Sequence, residues 1–106
     1  MSVLNNCKHI DSIEYDEMDS KLDPIVKKRI EDHLNKRMRE ETENKFSRDI
    51  KLEKTDGVVE IYEDTNGEKV YEYLTDCDEY VFCAEIIFGK DVVEERDFGT
   101  SLSEWL

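Results

Sequence analysis

Apolar residues recur at every fourth position in the stretch that follows Pro24. They are Val26, Ile30, Leu34 and Met38. This spacing places them along one face of an α-helix. Asp23 is suited to cap that helix, and Pro24 to occupy its first position. The pattern predicts a helix over residues 24–46 whose apolar stripe packs on a sheet while its charged back faces water. A partner-binding helix or a coiled-coil seam is the alternative interpretation.

The apolar period changes from four residues to two after Ser47. Ile50 and Leu52 alternate with charged residues, which predicts a short strand. Further along, the sequences GVVEIYE and KVYEY flank the tetrapeptide DTNG. Asn-Gly tolerates the positive φ angles of a tight turn, so the two flanking runs predict a β-hairpin.

Two registers of this hairpin compete. A two-residue loop would set Glu72 opposite Ile61. A three-residue loop over residues 65–67 would instead form three favourable pairs: Ile61–Tyr71, Val59–Tyr73 and Glu63–Lys69. Such cross-strand pairs each stabilise a sheet by a few tenths to about 1 kcal/mol. We therefore favour the second register, although it places Glu60 opposite Glu72, and like charges in that position are unfavourable.

The sequence YLTDCDEYVFCAEIIF, which begins at Tyr73, is apolar on both faces of a predicted strand. One face carries Tyr80, Phe82, Ala84, Ile86 and Phe88, and the other carries Val81, Cys83 and Ile87. A strand of this kind usually lies in the middle of a sheet or has one side covered by another segment. Cys83 is then expected to be a small core residue, as free cysteines commonly are.

The last part of the chain predicts only short elements. DVVEERDFG, after Gly89, is compatible with an edge strand or a loop. SLSE matches a capping box, which predicts a short C-terminal helical turn. The predicted fold is α+β, with one long helix packed across a three- to four-stranded antiparallel meander. Residues 1–22 are expected to form an acidic, partly irregular segment, and residues 23–106 a single compact domain.

Charge is distributed unevenly along the 106 residues, whose formal net charge is −13. Residues 1–20 hold five acids and one base, and residues 21–54 hold eleven bases and eight acids, so these segments carry −4 and +3. Residues 55–106 hold fifteen acids against three bases, which gives −12. An asymmetry of this size indicates a charged partner.

Several classes of protein fit the sequence poorly. It contains no apolar run of about 18 residues, as a transmembrane helix requires. Its first residues lack the basic and then apolar regions of a secretory signal. Three cysteines without a C-x-x-C pair do not predict a disulfide scaffold. We expect a cytoplasmic protein, in the host cytoplasm if a phage encodes it, without affinity for membranes.

Candidate metal and catalytic residues are few. Cys7, His9, Cys77 and Cys83 could supply four zinc ligands, but their spacing departs from that of structural sites. DTNGE lacks the register and the closing Glu of an EF-hand loop. Nucleotide-binding and nucleophile motifs do not occur. A pair of carboxylates could act as acid and base, but with 28 acids in the chain such a pair is not a specific signal. We therefore expect no cofactor, no metal and no catalytic residue, so the chain is not predicted to be an enzyme.

The acidic residues of the hairpin and the turn after it are the candidate partner-binding face. They are Glu60, Glu63, Asp64, Glu68, Glu72, Asp76, Asp78 and Glu79. Carboxylates about 4.8 Å apart across strands approach the charge density of DNA, which carries one charge per roughly 1.7 Å of its axis. Such a face would repel nucleic acid directly and attract a basic nucleic-acid-handling protein.

Small acidic proteins of this type include phage-encoded mimics of nucleic acid, of the anti-restriction or anti-CRISPR type, which occupy the basic channel of a host enzyme. They also include immunity proteins or antitoxins that neutralise basic nuclease toxins. We expect an inhibitor of the first kind, from a phage or mobile element and present as a monomer or homodimer. The alternatives are an immunity protein and a structural domain whose acids only solubilise it. Charge reversal at Glu60, Glu63, Asp64 and Glu72 is expected to slow association and leave the fold intact.

Overall fold

The structure is a computed structural model, in which residues 3–75 and 82–100 are described. Five strands form one antiparallel sheet in the order β1-β2-β3-β4-β5. The elements are β1 (Lys8–Glu14), α1 (Met18–Lys21), α2 (Pro24–Glu41), β2 (Val58–Glu63), β3 (Lys69–Thr75), β4 (Phe82–Phe88) and β5 (Val93–Thr100). Two 3₁₀ turns, Tyr15–Glu17 and Leu52–Lys54, connect them.

The predicted α+β class and the antiparallel meander are confirmed, but the predicted number of strands is wrong. The sheet has five strands instead of three or four, and a second, short helix, α1, precedes the long one. The added strand β1 comes from the segment expected to be partly irregular. Ile13 is its one buried residue, so β1 has no apolar alternation in its sequence. The edge strand allowed after Gly89 is present as β5, and the predicted C-terminal turn lies outside the described residues.

The long helix α2 uses the predicted stripe to cover the sheet. Ile30, Leu34 and Met38 are fully buried in the core, and Val26 packs against it. Asp23 caps the helix by accepting a hydrogen bond from the backbone N–H of Ile25 at 2.8 Å. The stripe is therefore a packing surface, and the seam of a partner helix is excluded for these buried residues.

Helix α2 ends at Glu41, five residues before the predicted end. Glu43 and Asn44 have positive φ angles of 55° and 65°, which a helix cannot accommodate. Thr42 fixes the turn, because its hydroxyl donates to the carbonyl of Met38 at 2.8 Å and accepts from the N–H of Phe46 at 3.2 Å. Phe46 therefore lies outside the helix that was predicted to contain it, and its side chain packs in the core.

The strand predicted around Ile50 and Leu52 does not form. The N–H of Ile50 donates to the side-chain oxygen of Asn35 at 2.7 Å, and the N–H of Leu52 donates to the carboxylate of Glu31 at 2.9 Å. Asn35 and Glu31 are buried side chains of α2. Ile50 and Leu52 are both buried, as their alternation with charged residues predicts. Their backbone N–H groups, however, donate to side chains of α2 and not to a neighbouring strand.

The hairpin has the register predicted for a three-residue loop. Ile61 pairs with Tyr71, Val59 with Tyr73, Glu63 with Lys69, and Glu60 with Glu72. Gly67 takes a φ of 80° in the turn. Asp64 closes the loop, because its side chain accepts hydrogen bonds from the N–H groups of Asn66 and Glu68 at 2.8 and 2.9 Å.

Strand β4 lies inside the sheet, between β3 and β5, and is heavily buried, as predicted. The side chains of Phe82, Ala84, Ile86 and Phe88 point toward α2 and belong to the buried residues. Two cations of α2 lie over aromatic rings on this side: Arg29 is 5.5 Å from the centre of the Phe88 ring, and Arg37 is 5.0 Å from that of Phe98. Cys83 is half-buried on the opposite face, so its expected place in the core is not what the structure shows.

Candidate functional site

The face of the sheet opposite α2, which we call the distal face, carries two rows of residues that run across all five strands. Residues of a row lie on adjacent strands, about 4.8 Å apart. The first row is Ser12, Glu60, Glu72, Ile87 and Glu94. The second row is Glu14, Val58, Leu74, Glu85 and Asp97. Six of these ten side chains are acidic, so the distal face concentrates negative charge.

Glu60 is held in the first row by two donors from β1. Its Oε2 atom lies 2.5 Å from Ser12 Oγ and 2.5 Å from His9 Nε2. The His9 ring also packs edge-on against Tyr62, with 5.2 Å between the ring centres. These contacts fix the carboxylate of Glu60 in one orientation on the sheet surface.

Ser12, His9 and Glu60 superficially resemble a catalytic triad. The Ser12 hydroxyl lies 3.2 Å from His9 Nε2, and the Glu60 carboxylate contacts that same nitrogen. In a working triad the carboxylate binds the other ring nitrogen, so that Nε2 remains available to accept the proton of the serine. The arrangement in the structure therefore positions an acid and does not activate a nucleophile.

Glu72, opposite Glu60, is a buried acid with 7% of its surface exposed. The Tyr62 hydroxyl donates to its Oε1 atom at 3.2 Å. Burial raises the pKa of Glu72 above its ordinary value, and the negative charges of Glu85 and Glu60 act in the same direction. The hydrogen bond from Tyr62 and the charge of Arg96 oppose this rise in pKa without cancelling it.

Arg96 is the cation that the structure places among these acids. A bulge in the pairing of β4 with β5 falls beside it, between the residues paired with Glu85 and Ile86. Its guanidinium lies 2.7 Å from the carboxylate of Glu94 and 3.4 Å from that of Glu85. Arg96 therefore links the two rows at the β5 edge and offsets part of their charge.

Residues 3–7, which we call the N-terminal arm, lie on one end of the distal face. The N–H of Val3 donates to the carboxylate of Glu94 at 2.8 Å, and a methyl group of Val3 comes within 3.1 Å of where a Cβ of Gly89 would stand. Val70 and Ile87 point away from α2 at this end, yet they are 3% and 0% exposed. The arm thus contacts the distal face at Glu94 and Gly89, the end at which Val70 and Ile87 are buried.

The hairpin tip carries the next group of predicted site residues. Glu63 and Glu68 are exposed, and Glu68 lies 3.6 Å from the ammonium of Lys90. Asp64 is half-buried because it caps the turn. A lysine in its place would remove two hydrogen bonds from the loop, so charge reversal at Asp64 would disturb the hairpin as well as its charge.

The structure therefore divides the predicted acidic face into three parts. Glu60 and Glu72 lie on the distal face, whereas Glu63, Asp64 and Glu68 lie at the hairpin tip. Asp76, Asp78 and Glu79 lie outside the described residues. The burial of Glu72 also means that reversing its charge would act on the fold, contrary to the expected neutral effect.

Four acids of the distal face were not among the predicted site residues. They are Glu14, Glu85, Glu94 and Asp97. Alternation along β4 assigns Glu85 to the face that Glu72 occupies, so the position of Glu85 could have been predicted from the sequence. The other three depend on the pairing of the edge strands β1 and β5, each of which contains a register shift.

Metal-binding geometry is absent from the described part of the chain: its His, Cys, Asp and Glu residues form no group of three or more suited to hold an ion. Cys7 donates to the carbonyl of Val3 within the N-terminal arm at 3.4 Å. Burial raises the pKa of the Cys7 thiol, and the negative charge of Asp64 adds to this effect. Cys77 lies outside the described residues, and the two described cysteines, Cys7 and Cys83, are not joined by a disulfide.

The helices among residues 3–75 and 82–100 are too short or too polar to cross a membrane. Comparisons with protein-family models, with characterised proteins and with solved structures find no match to this chain. The candidate site is therefore judged by its own geometry and charge.

Proposed function

We propose that the protein is a non-catalytic inhibitor that binds a basic, nucleic-acid-handling protein through the distal face and the hairpin tip. In this proposal the acids of the chain take the place of nucleic-acid phosphates in the basic channel of a host defence enzyme, as an anti-restriction or anti-CRISPR protein of a phage or mobile element would. The binding residues are Glu60, Glu63, Asp64, Glu68 and Glu72, extended by the acids of the second row.

The observation that carries the proposal is the pair of acidic rows on the distal face. Acids on adjacent strands are about 4.8 Å apart, and acids on one strand repeat every 6.6–6.8 Å. Ser12, His9 and Tyr62 hold the carboxylates of Glu60 and Glu72, so these two side chains have little order to gain on binding. A rigid negative surface of this kind complements a groove that is built to receive a phosphate backbone.

A second observation supports a role for these charges beyond solubility. Acids that only solubilise a protein need no particular arrangement and gain nothing from burial. Glu72 is instead buried, opposite Glu60 and with Glu85 nearby, where its ionised form is disfavoured. A cationic partner placed over this row would stabilise the ionised form of Glu72. The unfavourable free energy of ionising Glu72 in the free protein would thereby be reduced in the complex.

An immunity protein that neutralises a basic nuclease toxin would use the same surface. The two differ in the identity of the captured enzyme. A structural domain with a solvated acidic surface is the third possibility, and it differs in capturing no partner through the distal face.

The proposal is tested by affinity capture with two matched variants. The face variant neutralises four exposed acids of the distal face and hairpin tip: Glu14→Gln, Glu63→Gln, Glu68→Gln and Asp97→Asn. The control variant neutralises four exposed acids in the helix layer and the segment after it: Asp32→Asn, Glu40→Gln, Glu43→Gln and Asp49→Asn. Each change removes four charges from the −13 of the chain, so both variants carry −9.

Each protein is immobilised and exposed to a lysate of the cells in which it functions. We expect the wild type and the control variant to retain a nucleic-acid-binding protein that the face variant loses. Retention should fall as salt rises from low to physiological ionic strength, where exposed charges are screened beyond about 8 Å. Equal retention by both variants would show that net charge alone attracts the partner and would contradict binding through the distal face.

A further inference from the structure

Four residues of the second row line a groove of about 380 Å³, together with Asp56, Thr75 and Ala84. Its floor contains Val58 and Leu74, which are neighbours on β2 and β3. Its wall on the β4–β5 side contains Glu85 and Asp97, and Asp56 stands at its end. On the β1 side the row continues to Glu14. The groove thus combines an apolar floor with acids on both sides.

The apolar floor remains accessible, unlike two other apolar residues of the distal face. Val58 and Leu74 are half-buried and stand outside the buried core cluster. Val70 and Ile87, by contrast, lie at the end of the face where the N-terminal arm packs, and they are buried. The fold therefore covers one apolar pair of the distal face and leaves the other at the bottom of a groove.

The charges around the groove indicate the chemistry of its occupant. Glu14 and Asp97 are exposed, and Glu85 is partly exposed with the Arg96 guanidinium 3.4 Å away. Arg96 approaches Glu94 more closely, at 2.7 Å, so its contact with Glu85 is the weaker of the two. Acids on both sides of an apolar floor favour a segment with an apolar side chain between two cations.

We propose that the groove docks an extended segment of the basic partner with the pattern cation-x-apolar-x-cation. The apolar side chain rests on Val58 and Leu74, one cation pairs with Glu14, and the other pairs with Glu85 and Asp97. Glu14 and Glu85 are three strands apart, or about 14 Å, and four residues of extended chain span about 13 Å. This inference rests on the proposed function and names the part of the partner that the distal face selects.

Such a segment would give specificity to a surface that charge alone makes unselective. Acidic rows attract any strongly basic protein, and electrostatic attraction mainly increases the rate of association. Burial of an apolar side chain on the groove floor would instead slow dissociation, and it would do so only for partners with the required pattern.

The inference is tested with two capped synthetic peptides of equal charge, Lys-Ser-Leu-Ser-Lys and Lys-Ser-Ser-Ser-Lys. Each is titrated into the full-length protein while its backbone amides are followed by NMR. We expect the leucine peptide to shift the amides of Val58, Leu74, Glu85 and Asp97 and to bind about fivefold or more tightly than the serine peptide. This factor corresponds to partial burial of one leucine side chain.

Three variants connect the difference between the peptides to the groove. Leu74→Gln and the milder, nearly isosteric Val58→Thr should each bring the ratio of the two peptide affinities closer to one. Arg96→Gln should strengthen binding of both peptides, because it removes a cation that competes for Glu85. The dispersion of the free-protein spectrum checks that each variant is folded.

Equal affinity for the two peptides, or leucine-dependent shifts confined to the hairpin tip, would overturn the groove as a docking site. Shifts of the groove amides on simple dilution would also overturn it, because they would identify a second copy of the chain as the occupant. Each of these results leaves the capture experiment intact. Failure of that experiment alone would instead refute the proposed function and leave the groove's peptide preference standing.

Discussion

Glu60 on β2 and Glu72 on β3 stand directly opposite each other, and different side chains hold the two carboxylates. Ser12 and His9 hold Glu60, and Tyr62 holds Glu72. The pair therefore keeps two acids side by side on the sheet while burying one of them. Burying Glu72 beside Glu60 is unfavourable for the stability of the fold, and the same pair of acids forms a surface that would attract cations.

Glu72→Gln should increase stability at neutral pH by a few tenths to about 1 kcal/mol, the range for cross-strand pairs. Glutamine keeps an acceptor for Tyr62 and removes a buried charge opposite Glu60. Because the native pKa of Glu72 is raised, the folded state holds more protons than the unfolded state, and stability falls as pH rises from about 4.5 through the native pKa. Denaturant unfolding at a series of pH values measures this slope.

The glutamine variant should lack that part of the pH dependence. Glu68→Gln, at the exposed hairpin tip, is the control and should leave both stability and slope close to those of the wild type. A Glu72→Gln protein that is less stable than wild type at pH 7 would show that the ionised carboxylate is well accommodated, and the idea of a charge retained at a cost would then be wrong.

Gly57→Ala should destabilise the protein by about 1–3 kcal/mol, as overpacking of a filled core does. A Cβ at Gly57 would stand 2.5 Å from the ring of Tyr73. Tyr73 cannot move away easily, because it is fully buried and its hydroxyl donates to Thr55 Oγ1 at 2.9 Å. Gly99→Ala is the matched control, since no described residue other than its chain neighbours has an atom within 4 Å of its added Cβ. Thermal unfolding compares the two variants, and equal melting temperatures would contradict this packing.

Lys27→Met should destabilise the protein by about 2 kcal/mol, somewhat below the loss for a fully buried ion pair. The Lys27 ammonium lies 3.2 Å from Asp19, 3.2 Å from Glu31 and 2.9 Å from Glu53. It thereby joins α1, α2 and the 3₁₀ turn Leu52–Lys54. Removing it leaves three acids close together without their shared cation. Urea unfolding at pH 7 checks the loss, and a variant as stable as wild type would contradict it.

The same contact gives a pH dependence of opposite sign to that of Glu72. Burial is the largest single influence on Glu53 and disfavours its ionised form. The hydrogen bond and charge of Lys27, with a backbone hydrogen bond and the charge of Lys51, together outweigh burial and lower the pKa of Glu53 below its ordinary value of 4.5. The stability that it contributes is therefore present above pH 4.5 and is lost as pH falls through the native pKa. Unfolding between pH 5 and pH 2 should show this loss in the wild type and a smaller one in Lys27→Met.

Local patterns predicted the parts of the fold whose partners are near in sequence. The hairpin register followed from pairs such as Ile61–Tyr71, and the buried stripe of α2 followed from its four-residue period. The segment at Ile50 is not the predicted strand because its hydrogen-bond partner, Asn35, is a side chain of α2 and not the backbone of a neighbouring strand. Alternation alone does not say whether a strand or a helix supplies the hydrogen bonds.

The candidate site was predicted less completely than the fold, for a related reason. Glu60 and Glu72 were identified because the hairpin register fixes their pairing. Asp97 joins the second row only through β5, whose register shifts by a bulge beside Arg96. Glu14 joins it through β1, a strand with one buried residue. A bulge and a mostly exposed edge strand leave little apolar pattern, so these contributions appear only in the folded sheet.

The most direct measurement of the central claim is a competition between this protein and nucleic acid for the captured partner. A fluorescently labelled DNA or RNA duplex of about 20 base pairs is bound to the partner, and its anisotropy is followed as the protein is added. We predict that the wild type and the helix-layer control variant release the duplex completely and competitively, and that the face variant needs a much higher concentration. A duplex that stays bound while the protein binds the partner as a third component would contradict nucleic-acid mimicry, as would equal release by all three proteins.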